Sequence, residues 1–160
     1  MDRFHACAAQ AGEPPSGSAD ATNAWRLVRT PGGVGKPDAL SIMHTADFER
    51  SDPLLAGLML RCGDAGIETI IVLIEPFPPE ARPKITLRAD GQESYFEGRS
   101  TLTGVGVRVP IDAMDKATNS WRRARELFVQ ISEGKTEIDG VVKLSGLDAA
   151  IQPLSACFTR

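Results

Sequence analysis

Histidine and cysteine are scarce in this 160-residue chain, with two of the first and three of the second. Cys7, Cys62 and Cys157 form no C-x-x-C pair, so a zinc or iron–sulfur site lacks its ligand spacing. No metal and no cofactor is expected. Long hydrophobic runs are also missing: Arg61, Asp64 and Glu68 interrupt the most apolar stretch, and a membrane-spanning helix needs roughly 20 uninterrupted residues. Nor is charge of one sign concentrated. Lys and Arg number 18 against 21 Asp and Glu, and the net charge of -3 comes from interspersed signs. That balance speaks against nucleic acid or an anionic membrane surface as a partner.

Two familiar motifs fail on inspection. The segment GGVGKP, Gly32 to Pro37, invites comparison with a phosphate-binding loop, which needs G-x-x-x-x-G-K-[ST] between a strand and a helix. Thr30 stands where the first Gly belongs, Pro37 replaces the Mg²⁺-binding hydroxyl, and no helical pattern follows. An ordinary loop is expected there. Met1 to Thr22 is rich in Ala, Gly, Ser and Pro, carries Arg3 as its one basic residue, and lacks the apolar core of a secretion signal. Cys7 after Ala6 is similar to the cleavage end of a lipoprotein signal, but too few residues precede it to insert. Residues 1–24 are therefore expected to be a disordered tail or the remnant of a leader, and residues 25–160 a single β-rich domain.

What the sequence does contain is strand patterning. With 42% apolar residues the chain can bury a substantial core. WRLVRT (Trp25 to Thr30) and ALSIMHT (Ala39 to Thr45) alternate as strands do. Leu54 to Phe77 holds the densest apolar and β-branched run, broken by Gly63-Asp64-Ala65-Gly66, and reads as two central strands joined by a turn. In its first half Leu58, Leu60 and Cys62 share one face. KITLRA (Lys84 to Ala89) and SYFEGR (Ser94 to Arg99) flank the turn dipeptide Asp90-Gly91. Gly104 to Val109 makes another short strand, and Pro110 to Ala124 shifts to helical spacing. Glu126 to Ser132 and Glu137 to Leu144 form a last hairpin around Gly134. Ser145 and Asp148 are placed to cap a helix, whose stripe Leu147, Ala150, Ile151 and Leu154 can dock on a sheet, with Pro153 bending or shortening it. The expected architecture is mainly β: an antiparallel sandwich or curved sheet of eight or nine strands with a C-terminal helix packed on it.

Three stretches could carry chemistry. His44 ends a strand, and the polar connection after it contains Asp47, Glu49, Arg50 and Asp52. These could bind a small ligand or serve a hydrolase. The plainer reading makes His44 a hydrogen-bonded structural residue and the connection a solvated loop whose Asp and Ser side chains bond their own backbone. EPFPPEARP, Glu75 to Pro83, would suit a partner that reads P-x-x-P segments, or serve only as a stiff crossover. The cluster Arg122, Arg123 and Arg125, beside Glu126, reads as solvated surface rather than a phosphate site.

LMLRC (Leu58 to Cys62) and the tail GLDAAIQPLSAC (Gly146 to Cys157) resemble the type VI secretion-associated accessory family TagO/VasI, which has a similar cysteine-bearing strand and a similar tail. A looser likeness extends to the invasion-associated locus B family, which also closes with a short helix and a cysteine. The resemblance implies an exported or envelope β-rich protein and supplies no catalytic residues. Thr45 to Asp52 and the Pro-rich crossover depart from the type VI pattern. It also implies a disulfide between Cys62 and Cys157, in keeping with a core-facing Cys62 and a Cys157 that ends a docking helix. Closing about 95 residues would restrict the unfolded chain by about 4 to 5 kcal/mol; two buried free thiols are the alternative.

The expectation is a non-enzymatic periplasmic or envelope-associated accessory protein, acting on another envelope protein or envelope component. The alternatives are a small hydrolase or ligand-binding enzyme using His44 with Asp47, Glu49 or Asp52, and a cytosolic interaction module using the Pro-rich crossover.

Overall fold

Alternating burial along the strands sorts this chain into two antiparallel sheets. The computed structural model describes residues 24–63, 66–101, 106–109 and 119–159. The expected tail falls outside that range except for Ala24, and so does most of the expected helix after Pro110. The described strands are β1 (Arg26–Thr30), β2 (Ala39–Thr45), β3 (Leu55–Gly63), β4 (Gly66–Leu73), β5 (Lys84–Ala89), β6 (Gln92–Glu97), β7 (Arg99–Ser100), β8 (Gly106–Val109), β9 (Glu126–Glu133) and β10 (Thr136–Lys143). The first sheet runs β1-β2-β3-β4-β8-β7 and the second β10-β9-β5-β6.

Period-2 patterning decides which side chains meet between the sheets. In β9, Leu127, Val129 and Ile131 are buried while Phe128 and Gln130 point outward. In β5, Ile85, Leu87 and Ala89 alternate with Lys84, Thr86 and Arg88. These inward faces join Leu58 and Leu60 of β3 and Ile67 and Ile71 of β4 in one core cluster. Each such Leu or Ile contributes about 1.5 to 3 kcal/mol by leaving water. β3 and β4 lie mid-sheet, as their near-continuous apolar runs lead one to expect. β1 is an edge strand, and its five residues are exposed. Leu27 and Val28 therefore remain largely in solvent.

Local chemistry sets the turns. Asp90 and Gly91 both have positive φ, 52° and 75°, the backbone of a two-residue type I′ hairpin turn. The strand after that turn starts at Gln92 and stops at Glu97, not at Arg99 as its pattern suggests. At Gly98 a side chain would strike Val107 and Ile85, so the chain crosses there from the second sheet to the first, and Arg99 joins the first sheet. Trp121 is 2% exposed and belongs to the core.

The C-terminal helix is shorter than its apolar stripe implies. The helix α1 (Leu147–Ala150) spans four residues, its N-cap is Gly146 at φ 83°, and no side chain caps it. Ser145 thus does not play the capping role that its S-x-x-D context suggests. Pro153 has no N–H to continue an α-helical ladder, and the chain tightens into a 3-10 helix over Gln152–Thr159. The docking stripe survives this change, since Leu147, Ile151 and Leu154 are all fully buried and Ala150 is half-buried against the core.

Candidate functional site

The C-terminal segment is tied to the sheet covalently. Inward alternation carries Cys62 to the far end of β3, half-buried against the core. The 3-10 helix packs on β2, β3 and β4 and brings Cys157 to it as a disulfide, with Cα atoms 5.6 Å apart, inside the range such a bond requires. The bond closes a sequence separation of 95.

His44 faces inward from β2 and is 2% exposed. Its Nδ1 lies 2.7 Å from the Thr45 carbonyl oxygen, an arrangement that places the ring proton on Nδ1. The Trp25 ring meets it edge-on, with centroids 5.3 Å apart. His44 Nε2 and Trp25 Nε1 are both buried with no hydrogen-bond partner.

The carboxylates of the following loop are engaged elsewhere. Asp47 Oδ1 accepts from the Glu49 N–H at 3.1 Å, and Asp52 Oδ1 accepts from the Leu54 N–H at 2.9 Å. The loop also lies along the open edge of β10. Asp47 N–H donates to the Val141 carbonyl and Asp52 N–H to the Asp139 carbonyl, each at 2.8 Å. Ser51 Oγ accepts from the Val141 N–H at 3.0 Å. A strand edge that would otherwise offer unpaired main-chain groups is covered in this way. Among the described residues, no hydrogen bond or ion pair joins His44 to Asp47, Glu49 or Asp52.

Arg50 is the loop residue that reaches the second sheet. Its guanidinium forms a two-point ion pair with Glu126, Nη1 to Oε1 at 2.9 Å and Nη2 to Oε2 at 2.7 Å. The Glu126 hydrogen bond raises the Arg50 pKa. Reciprocally, the bond from Arg50 holds the Glu126 carboxyl below its ordinary value. Arg50 also sits 5.8 Å from the centroid of the Phe128 ring, and Arg88 of β5 sits 4.5 Å from it. Around this ring lie two shallow concavities of about 300 and about 320 Å³ that share Arg88 and Phe128. Thr86, Gln130 and Asp139 line the first; Asp90, Arg123 and Arg125 line the second.

The sequence-predicted site is therefore divided. Arg50 belongs to a surface site on the second sheet, His44 to a packed interior position, and Asp47 and Asp52 to loop architecture, with Glu49 exposed. No local spacing links Glu126, Phe128 and Arg88 to Arg50, so the sequence pattern does not mark them as site residues. One signal was available: Phe128 is a large apolar residue at an outward-facing strand position. Of the Arg cluster, Arg122 lies 3.3 Å from Asp148, whereas Arg123 and Arg125 line the second concavity. In the Pro-rich crossover Pro76, Pro78 and Pro79 are exposed. The Pro78 carbonyl accepts from Ala81 N–H and Ser100 Oγ, which fastens the segment as a turn.

The described residues form no helix long and apolar enough to cross a membrane. The fold defines a two-sheet antiparallel β protein stapled to its C-terminal segment. No family model and no curated protein matches the chain. Among solved structures, the crystal structure of invasion associated protein B from Bartonella henselae is similar, with a TM-score of 0.56 at 13% identity, covering 85% of this chain and 94% of that one. At that identity the likeness is one of fold.

Proposed function

We propose that this chain is an exported, non-enzymatic accessory protein of the cell envelope that binds another envelope protein through the outer face of its second sheet. The observation that carries the reading is the Cys62–Cys157 pair, since disulfides persist in oxidising compartments and are rare in the cytosol. The shared fold with an invasion-associated protein supports it. So does the arrangement around His44, whose neighbouring carboxylates bond loop backbone rather than the imidazole. The LMLRC and GLDAAIQPLSAC segments narrow the proposal to an accessory of the type VI kind.

The test is mass spectrometry of the protein isolated under alkylating, non-reducing conditions, together with cell fractionation. A Cys62–Cys157 cross-linked peptide from an envelope or exported fraction is the expected result. Alkylated free thiols on both residues in a cytoplasmic fraction would overturn the reading.

A further inference from the structure

We infer that the concavity beside Phe128 is a receptor for an acidic peptide segment of the partner, with Arg88 as its principal anion contact. This deepens the binding role proposed above and rests on it.

Arg88, Arg123 and Arg125 are exposed and border one concavity. Among the described residues none of the three has an ion-pair partner. Among the described residues two carboxylates line that concavity, Asp90 and Glu126, and Glu126 is held by the two-point contact of Arg50. Glu93, which accepts the Tyr95 hydroxyl at 3.0 Å, lines the neighbouring concavity instead. A chain with a net charge of -3 thus gathers three unpaired cations at one place.

The Phe128 contact prepares Arg88 for binding. A guanidinium over an aromatic ring is held by the ring's charge distribution and spends none of its N–H donors there. Its planar edge stays available for a carboxylate, which it meets with two parallel hydrogen bonds. The side chain is already ordered, so less conformational entropy is lost when an anion arrives. Arg123 and Arg125 supply further positive charge for neighbouring carboxylates on the same extended segment. A flat anionic membrane fits less well, because the three arginines border a concavity that an extended segment can enter and a flat surface cannot.

The experiment uses the full oxidised chain and a fluorescein-labelled peptide carrying a short run of glutamates, titrated by anisotropy. Binding is expected, weakening as salt is raised. Arg88→Gln should lower affinity about tenfold or more, the loss of a charge-assisted hydrogen-bond pair. Arg88→Lys, which keeps the charge but not the fork, should recover part of the loss. Arg82→Gln should bind as the parent does, because Arg82 lies at the other end of the strand beside Glu97. If Arg88→Gln fails to fold, exposed Arg125→Gln carries the same prediction with a smaller loss. The inference is overturned if the parent protein does not bind the peptide, if the Arg variants bind as it does, or if the protein binds phosphatidylglycerol vesicles and not the peptide. The purified chain answers this regardless of compartment, so failure here leaves the thiol and fractionation result standing, and the converse holds.

Discussion

Removing the Cys62–Cys157 bond should cost this protein a large part of its stability without dismantling the fold around it. The bond closes a separation of 95 residues, and the loop-entropy relation for that length gives about 4.7 kcal/mol of restriction on the unfolded chain. Domains are stable by only about 5 to 15 kcal/mol in total, so roughly a third or more of the margin is at stake. The native contacts should persist, because Leu147, Ile151 and Leu154 of the C-terminal segment are fully buried and dock it on the sheet through apolar packing that does not depend on the sulfurs. Urea denaturation followed by tryptophan fluorescence suits the measurement, as Trp121 is buried in the core. Comparing the oxidised protein with Cys62→Ala/Cys157→Ala should show a lower midpoint, a steeper slope as the unfolded chain expands, and a melting temperature lower by about 10 to 20 °C. An unchanged midpoint and slope in the double variant would refute the reasoning, since a cross-link of that length must be felt by the unfolded state.

Leu154→Ala should destabilise by about 2 to 5 kcal/mol, because the residue is fully buried between helix and sheet; a denaturation midpoint near that of the parent would show the helix to be loosely docked. Gly140→Ala should also destabilise, by about 1 to 3 kcal/mol. The added methyl would lie 2.6 Å from Leu55 Cδ2 and from Ser51 Cβ, prying the loop off the β10 edge, and hydrogen exchange at the Val141 and Asp52 amides should rise. Glu126 has its folded-state pKa lowered from 4.5, chiefly by the hydrogen bond from Arg50. Its contribution is therefore present above about pH 4.5 and lost as pH falls through the depressed value. The stability difference between the parent and Glu126→Gln should accordingly shrink in acid; a difference that stays constant down to pH 3 would count against the ion pair.

Much of the fold was legible because its signals are local. Alternation in Lys84–Ala89 and Glu126–Glu133 names the buried face of each strand from adjacent residues alone, and Asp90-Gly91 specifies its turn by the φ values those residues tolerate. The docking stripe of Leu147, Ile151 and Leu154 was equally plain. Ser145 misled because a capping pattern states only that a side chain can bond the first turn. Here Gly146 takes the N-cap in the left-handed region instead, close to the ring of Trp25.

By itself the sequence determined which residues face inward, where the hairpins turn, and that two cysteines sit on elements that must pack together. Those properties follow from side-chain periodicity and backbone preference within a few residues. Only the tertiary structure decided that β4 pairs with β8 and β5 with β9, that Arg50 reaches Glu126 across 76 positions, and that Arg88 and Arg125 share a concavity around Phe128. Such meetings depend on how two sheets pack and where a loop comes to rest on a strand edge. No local pattern encodes them, because the same alternation is compatible with many strand orders. The candidate binding surface is assembled from residues whose only relation is the fold.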